Sequence, residues 1–194
     1  DLTGSTVTEN QFISALSFIG VSIPRHNMSG WNLSDGDLTG ANLSGADLSG
    51  ADLSGADLYY GDMSGADLSN ADLNSAYLAR ADLSGADMTG ADLGNVYLYY
   101  GDMSGADLSG ANLTGITNCG YCNLANANLS NADLSNATLV RADLSNANLS
   151  AANMEQSSLR FADLSGADLS NADLSGADIR NVISWSGVTW YQTT

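Results

Sequence analysis

The 194-residue sequence predicts a repeat solenoid, a chain wound many times about one axis, and three observations carry that expectation. From Asn32 to Gly115 it reads almost without interruption as Ala-(Asp/Asn)-Leu-(Ser/Thr)-Gly, with a central apolar residue at every fifth position from Leu33 to Leu113. A second run continues the pattern from Leu124 to Ile179. A period of five fits neither a helix of 3.6 nor a strand of 2, so the apolar positions share a side only if the chain turns repeatedly. One unit cannot cover its own Leu, whereas stacked neighbours can. Third, a longer period is superimposed. Leu58-Tyr59-Tyr60-Gly61-Asp62-Met63 returns forty residues later as Leu98-Tyr99-Tyr100-Gly101-Asp102-Met103, and Tyr77 and Tyr97, like Arg160 and Arg180, lie twenty apart. Four units per coil follow, hence about eight coils stacked at the ~4.8 Å spacing of paired strands, a rod of ~40 Å.

Composition narrows the function classes. Lys plus Arg total 5, none of them Lys, against 22 Asp plus Glu, a formal charge of −17. Such a chain cannot neutralise phosphates, so direct nucleic-acid binding is not expected, and an anionic membrane surface is disfavoured likewise. The apolar runs are too short for a membrane span. Hydrophobic residues make up 44 %, too many for a charge-expanded disordered chain and close to two inward positions in five. With one His and two Cys, catalytic triads and His-rich metal sites lack their parts. No enzyme activity, cofactor, metal site or small-molecule substrate is expected.

At these units the sequence resembles the pentapeptide-repeat protein family, over roughly Asn27 to Asn181. The resemblance implies an all-β fold, a right-handed quadrilateral β-helix with four units per coil. The regular Ala-(Asp/Asn)-Leu-Ser-Gly consensus, and the ending Gly187-Val188-Thr189-Trp190-Tyr191-Gln192-Thr193-Thr194, are similar to cyanobacterial members, many of them exported. A start at Asp1 without Met, and a composition without Lys, agree with a processed product in the periplasm, thylakoid lumen or outside the cell rather than in the cytoplasm.

Taken in chain order, residues 1–26 are expected to form a cap. Thr8-Glu9-Asn10-Gln11 has capping-box spacing, Phe12, Leu16 and Ile19 share one helical face, and Gly20 can end the helix, so a short amphipathic helix is expected over 8–19. His26 belongs to this cap, while Trp31 takes an Ala-type position in the first coil. The β-helix is expected over 27–181. The step from Leu113 to Leu124 is eleven residues, which places a one-residue insertion within 114–123. Cys119 then takes a central position and Cys122 the next Ala position, so both point inward as a buried thiol pair or one local disulfide. Residues 182–194 are apolar and irregular. There Trp185, Trp190 and Tyr191 are candidate end contacts, folded over the last coil or docked on a neighbour, because an uncovered coil exposes unpaired strand edges.

Sorting the units by face isolates one of them. The second face is the column centred on Leu38, Leu58, Leu78, Leu98, Cys119, Leu139, Leu159 and Ile179. Around these centres lie Tyr59, Tyr60, Tyr77, Arg80, Tyr97, Tyr99, Tyr100, Tyr121, Arg141, Arg160, Phe161 and Arg180, seven of the 8 Tyr and four of the 5 Arg. The other faces carry almost only Asp, Asn, Ser, Thr and Gly, with ladders such as Asp47, Asp67, Asp87 and Asp107. Such ladders lack the clustered ligands of a calcium loop and read as solvated faces whose Asp side chains bond local turns. Tyr and Arg are the residues that interfaces favour, so the second face is the candidate interaction surface. Stacked rings and Tyr–Arg pairs that merely tie adjacent coils together are the competing reading.

Two functions follow as expectations. One is a non-enzymatic structural or protein-binding rod that presents this Tyr/Arg-rich face and assembles with itself, as a dimer or filament, or with an unidentified protein; a glycan on the face stays open. The other comes from the resemblance. Quinolone-resistance members of the family mimic a negatively charged duplex and bind DNA gyrase, which would make this an acidic DNA-mimic regulator of a type II topoisomerase.

Overall fold

The computed structural model describes residues 19–116 and 118–191. The expected helix over 8–19 lies outside the described residues except for Ile19, which stands in a turn, and no helix occurs among the described residues.

Each five-residue unit contributes one bridging residue and one turn, and the bridges are parallel between residues twenty apart, as in Asp47↔Asp67, Asp67↔Asp87 and Asp87↔Asp107. The backbone account of one unit explains its sequence. In Ala46-Asp47-Leu48-Ser49-Gly50, the Leu48 N–H donates to Asp67 O (2.7 Å) and the Gly50 N–H to Ser69 O (2.8 Å) on the following coil. The Asp47 N–H donates to His26 O (2.9 Å) on the preceding coil, and the Ala46 N–H closes the corner onto Leu43 O (2.9 Å). Only the Ser49 N–H finds no backbone acceptor. Asp47 Oδ1 takes it at 3.2 Å, and the same bond recurs from Ser54 to Asp52 (3.0 Å) and from Ser64 to Asp62 (3.0 Å). An Asp or Asn before the central residue thus completes the backbone's hydrogen bonding. The last residue of the unit turns the corner with a left-handed backbone, φ 63° at Gly50 and 55° at Asn70, which favours Gly and Asn.

The central Leu and the Ala two before it fill the interior. Leu43, Leu48, Leu53 and Leu58, one from each side of a coil, are all at 0 % exposure. Each such side chain stabilises the fold by ~1.5–3 kcal/mol. Ser157, in an Ala position, is the buried polar side chain of the described core, and its Oγ has no partner there.

The ends differ from the sequence reading in two ways. The coil begins at Val21 rather than at residue 27, since Ser22 bridges Asn42 and Asn27 bridges Asp47. His26 accordingly sits in the first coil beside Trp31, ring centroids 6.3 Å apart, instead of in a separate cap. At the other end, 182–191 is not irregular: it continues the coil, with Ser184 bridging Asp163 and Thr189 bridging Asp168. The register steps from 20 to 21 at two places, first at Tyr97↔Asn118 and again at Asp163↔Ser184. Each step adds one residue to one strand, a β-bulge.

Candidate functional site

The second face carries a continuous ladder of rings and guanidinium groups. Its corner column runs Tyr60, Arg80, Tyr100, Tyr121, Arg141 and Phe161, one residue per coil. The Arg80 guanidinium lies between two rings, 5.5 Å from the Tyr60 centroid and 5.4 Å from that of Tyr100. Tyr100 stacks on Tyr121 at 5.1 Å with 9° between planes. Arg141 repeats the sandwich between Tyr121 (5.2 Å) and Phe161 (5.6 Å). Arg80 Nη1 donates to the Tyr60 hydroxyl at 3.1 Å, and Arg141 Nη1 donates to that of Tyr121.

A second column stands beside the first. Tyr77 and Tyr97 occupy bridging positions and stack at 4.9 Å with 3° between planes. Tyr59 and Tyr99 join the columns, at 4.3 Å from Tyr60 and 4.5 Å from Tyr100. Room for these two rings comes from small residues in their own column, where Tyr59, Ala79, Tyr99 and Gly120 alternate large and small. A methyl group added at Gly120 would stand 3.1 Å from the Tyr99 ring. That alternation was visible in the sequence as the residue following each centre of the face, and the sequence reading did not use it.

Electrostatics set the face apart. From Tyr77 to Ser158 its bridging column reads Tyr77, Tyr97, Asn118, Thr138 and Ser158, with no carboxylate, on a molecule of net charge −17. Hydrogen bonding to Tyr60 raises the Tyr59 phenol above its ordinary value, with desolvation adding to it, and Tyr100 does the same to Tyr99. These phenols stay protonated, and so remain hydrogen-bond donors, throughout the neutral range.

The expected residues are not all in one array. Tyr59, Tyr60, Tyr77, Arg80, Tyr97, Tyr99, Tyr100, Tyr121, Arg141 and Phe161 form the ladder, and Arg160 joins it 5.6 Å from the Phe161 centroid. Arg180 is turned to its own coil, where Nε donates to Asp178 Oδ1 (2.8 Å) and Nη2 to Oδ2 (2.7 Å). That fork, with Arg160 at 3.9 Å, lowers the Asp178 carboxyl to about 2. Trp185 and Trp190 take central positions of the last coil and pack together at 5.2 Å. With Tyr191 and Ile179 they are exposed on that end.

Cys119 and Cys122 form a disulfide, Cα atoms 5.1 Å apart, both side chains buried. It ties the centre of the second face to the next side of the coil, under Tyr121. The Asp ladders bond the local turns described above, and among the described residues no His, Cys, Asp or Glu cluster could hold a metal ion.

Among solved structures, the chain is similar to HetL, a pentapeptide repeat protein involved in heterocyst differentiation regulation from the cyanobacterium Nostoc sp. strain PCC 7120 (28 % identity, 95 % of this chain, 91 % of that one, TM-score 0.46). It is also similar to QnrB1, a plasmid-mediated fluoroquinolone resistance protein (26 % identity, 91 % of each chain, TM-score 0.46). A third likeness is to a pentapeptide repeat protein from the Arabidopsis thaliana thylakoid lumen (29 % identity, 57 % of this chain, 66 % of that one, TM-score 0.28). A search of curated proteins finds no match. The family model for pentapeptide repeats matches eight copies over residues 37–74, 76–115, 117–150 and 147–183. With that match over most of its length, and with four units to each coil, the chain belongs to the pentapeptide-repeat family and takes its right-handed quadrilateral β-helix.

Proposed function

We propose that this chain is a non-enzymatic, protein-binding rod and that the Tyr/Arg ladder of the second face is its docking surface. The observation that carries this reading is what the ladder costs the backbone. The corner position favours Gly or Asn, yet Tyr60, Arg80, Tyr100, Tyr121, Arg141 and Phe161 all hold it with φ between 57° and 64°. Each bears a left-handed backbone that costs ~1–2 kcal/mol relative to Gly. The bridging position calls for an Asp or Asn acceptor, yet Tyr77 and Tyr97 supply none, and the N–H groups of Ala79 and Tyr99 have no partner among the described residues. On the other sides the corner is mostly Gly or Asn, with single departures at Arg25, Asp35, Ser75, Ala151 and Gln156. Here six successive coils depart from it, and Tyr77 and Tyr97 displace the Asp acceptor as well. Departures of this kind concentrate at functional sites.

The Cys119–Cys122 disulfide supports the exported location expected from the sequence, since disulfides persist in oxidising compartments.

The test is comparative capture from an extract of exported proteins. Immobilised wild-type chain is set against Tyr60→Asn/Arg80→Asn/Tyr100→Asn and against an acidic-face control, Asp62→Asn/Asp82→Asn. The reading expects at least one protein held by the wild type and the control and lost by the ladder variant. Identical capture by all three overturns it.

The Asp ladders of the remaining faces favour a second reading, an acidic mimic of duplex DNA directed at gyrase. Adding the protein at micromolar concentration to a gyrase supercoiling assay decides it. Inhibition, or protection from a quinolone, supports the mimic, and no effect removes it.

A further inference from the structure

We infer that the ladder's occupant is a second copy of this chain, seated through the Asp ladder on the opposite side of its rod. The inference rests on the docking reading above and adds the partner's identity.

What the ladder presents outward decides the chemistry. Its ring faces are occupied by one another, Tyr77 on Tyr97 at 4.9 Å, and by Arg80, held between Tyr60 and Tyr100. Ring edges, phenol hydroxyls and guanidinium N–H groups are what remain. A sugar or a base needs a free aromatic face for stacking, and these stacked faces offer none. Instead the surface is a row of donors bearing positive charge, repeating at the ~4.8 Å rung of stacked strands. Its complement is a row of carboxylates with the same rung.

The chain carries such a row two units further round the coil, on the opposite side. Asp47, Asp67, Asp87 and Asp107 bridge in unbroken succession, whereas the other Asp ladders are interrupted by Asn after three rungs. Asp67 and Asp87 each give Oδ1 to the N–H two residues on, at 3.0 Å, and Oδ2 has no partner among the described residues. Asp107 accepts from Ser109 N and Asn128 Nδ2 on Oδ1, and the Ser109 hydroxyl bonds its carboxylate as well. Asp47 Oδ2 accepts from Asn27 Nδ2 at 2.9 Å, so the open carboxylate oxygens lie on the rungs of Asp67 and Asp87. Donors on one side and these acceptors on the other, on one rung spacing, match face to opposite face. That contact is heterologous and does not close, so rods add side by side in rows.

Sedimentation velocity of the full chain at ~1–100 µM tests this. In 0.15 M salt the wild type is expected to show a mass rising with concentration, and in 1 M salt a monomer, because the pairs are screened. Asp47→Asn/Asp67→Asn/Asp87→Asn/Asp107→Asn keeps each Oδ1 acceptor and changes the charge from −17 to −13. General charge repulsion would then weaken and association would rise, whereas the inference expects a concentration requirement about tenfold higher. Asp62→Asn/Asp82→Asn/Asp102→Asn, on an adjoining side, is expected to associate as well as the wild type or better. A wild type that is monomeric throughout, or equal losses from both Asn variants, overturns the inference. The capture experiment fails separately: a monomeric wild type whose ladder still selects a protein keeps the docking reading and dismisses the second copy.

Discussion

At the scale of the residue, the unit's consensus is a list of backbone needs. Asp or Asn precedes each centre because one N–H per unit lacks a backbone acceptor, and Gly or Asn ends the unit because the corner needs φ near 60°. Both were legible in the sequence as positions, though the reason for the Asp was only partly so; it takes the hydrogen-bond account of Ser49 to show that the carboxylate serves the backbone before it serves charge. Ser157 was not legible, since a Ser in an Ala position looks conservative until its hydroxyl is seen to be buried without a partner. Replacing it should help. Ser157→Ala is expected to raise the unfolding free energy by ~1–2 kcal/mol, the desolvation cost of an unsatisfied hydroxyl, measured by urea denaturation.

At the scale of the element, the two register steps show where periodicity fails as a guide. The first was readable because the spacing of Leu113 and Leu124 exceeds ten on both sides of clear units. The second, at Val182-Ile183-Ser184-Trp185, was hidden because neither Ala nor Leu survives to mark the unit. Its signal was its likeness to Ile116-Thr117-Asn118-Cys119, a β-branched pair, a polar residue and a centre. Both are bulges between parallel coils, and only the first is pinned by a disulfide. Closing so short a loop limits what the bond contributes. Cys119→Ala/Cys122→Ala is expected to lower stability by about 2 kcal/mol from loop entropy, read from the denaturation midpoint at unchanged m. The chain should stay folded, because the Leu and Ala columns on either side of the bulge remain buried.

At the scale of the whole molecule, the rod is uniform except along one strip and at one end. The strip was legible as a column of Tyr and Arg once units were sorted by side. Its interlocking was less so, since Arg80 between Tyr60 and Tyr100 follows from the turn of the coil and not from any single unit. Among the described residues of the last coil, Ile179, Trp185 and Trp190 lie exposed where earlier coils bury Leu. The strip is built against the backbone's preferences; the proposed docking role explains that cost by a partner, whereas rings that merely bind coil to coil would have to offset it in stability. Ring and cation contacts add ~0.5–1.5 kcal/mol each, and the left-handed corners they occupy cost about as much. Urea unfolding of Tyr60→Asn/Arg80→Asn/Tyr100→Asn therefore tests the central claim most directly. A ladder made for docking predicts stability within about 2 kcal/mol of the wild type, because relieved strain offsets lost stacking. A fall of more than ~4 kcal/mol would mean that stacking far outweighs strain, and that the ladder exists to hold the coils together.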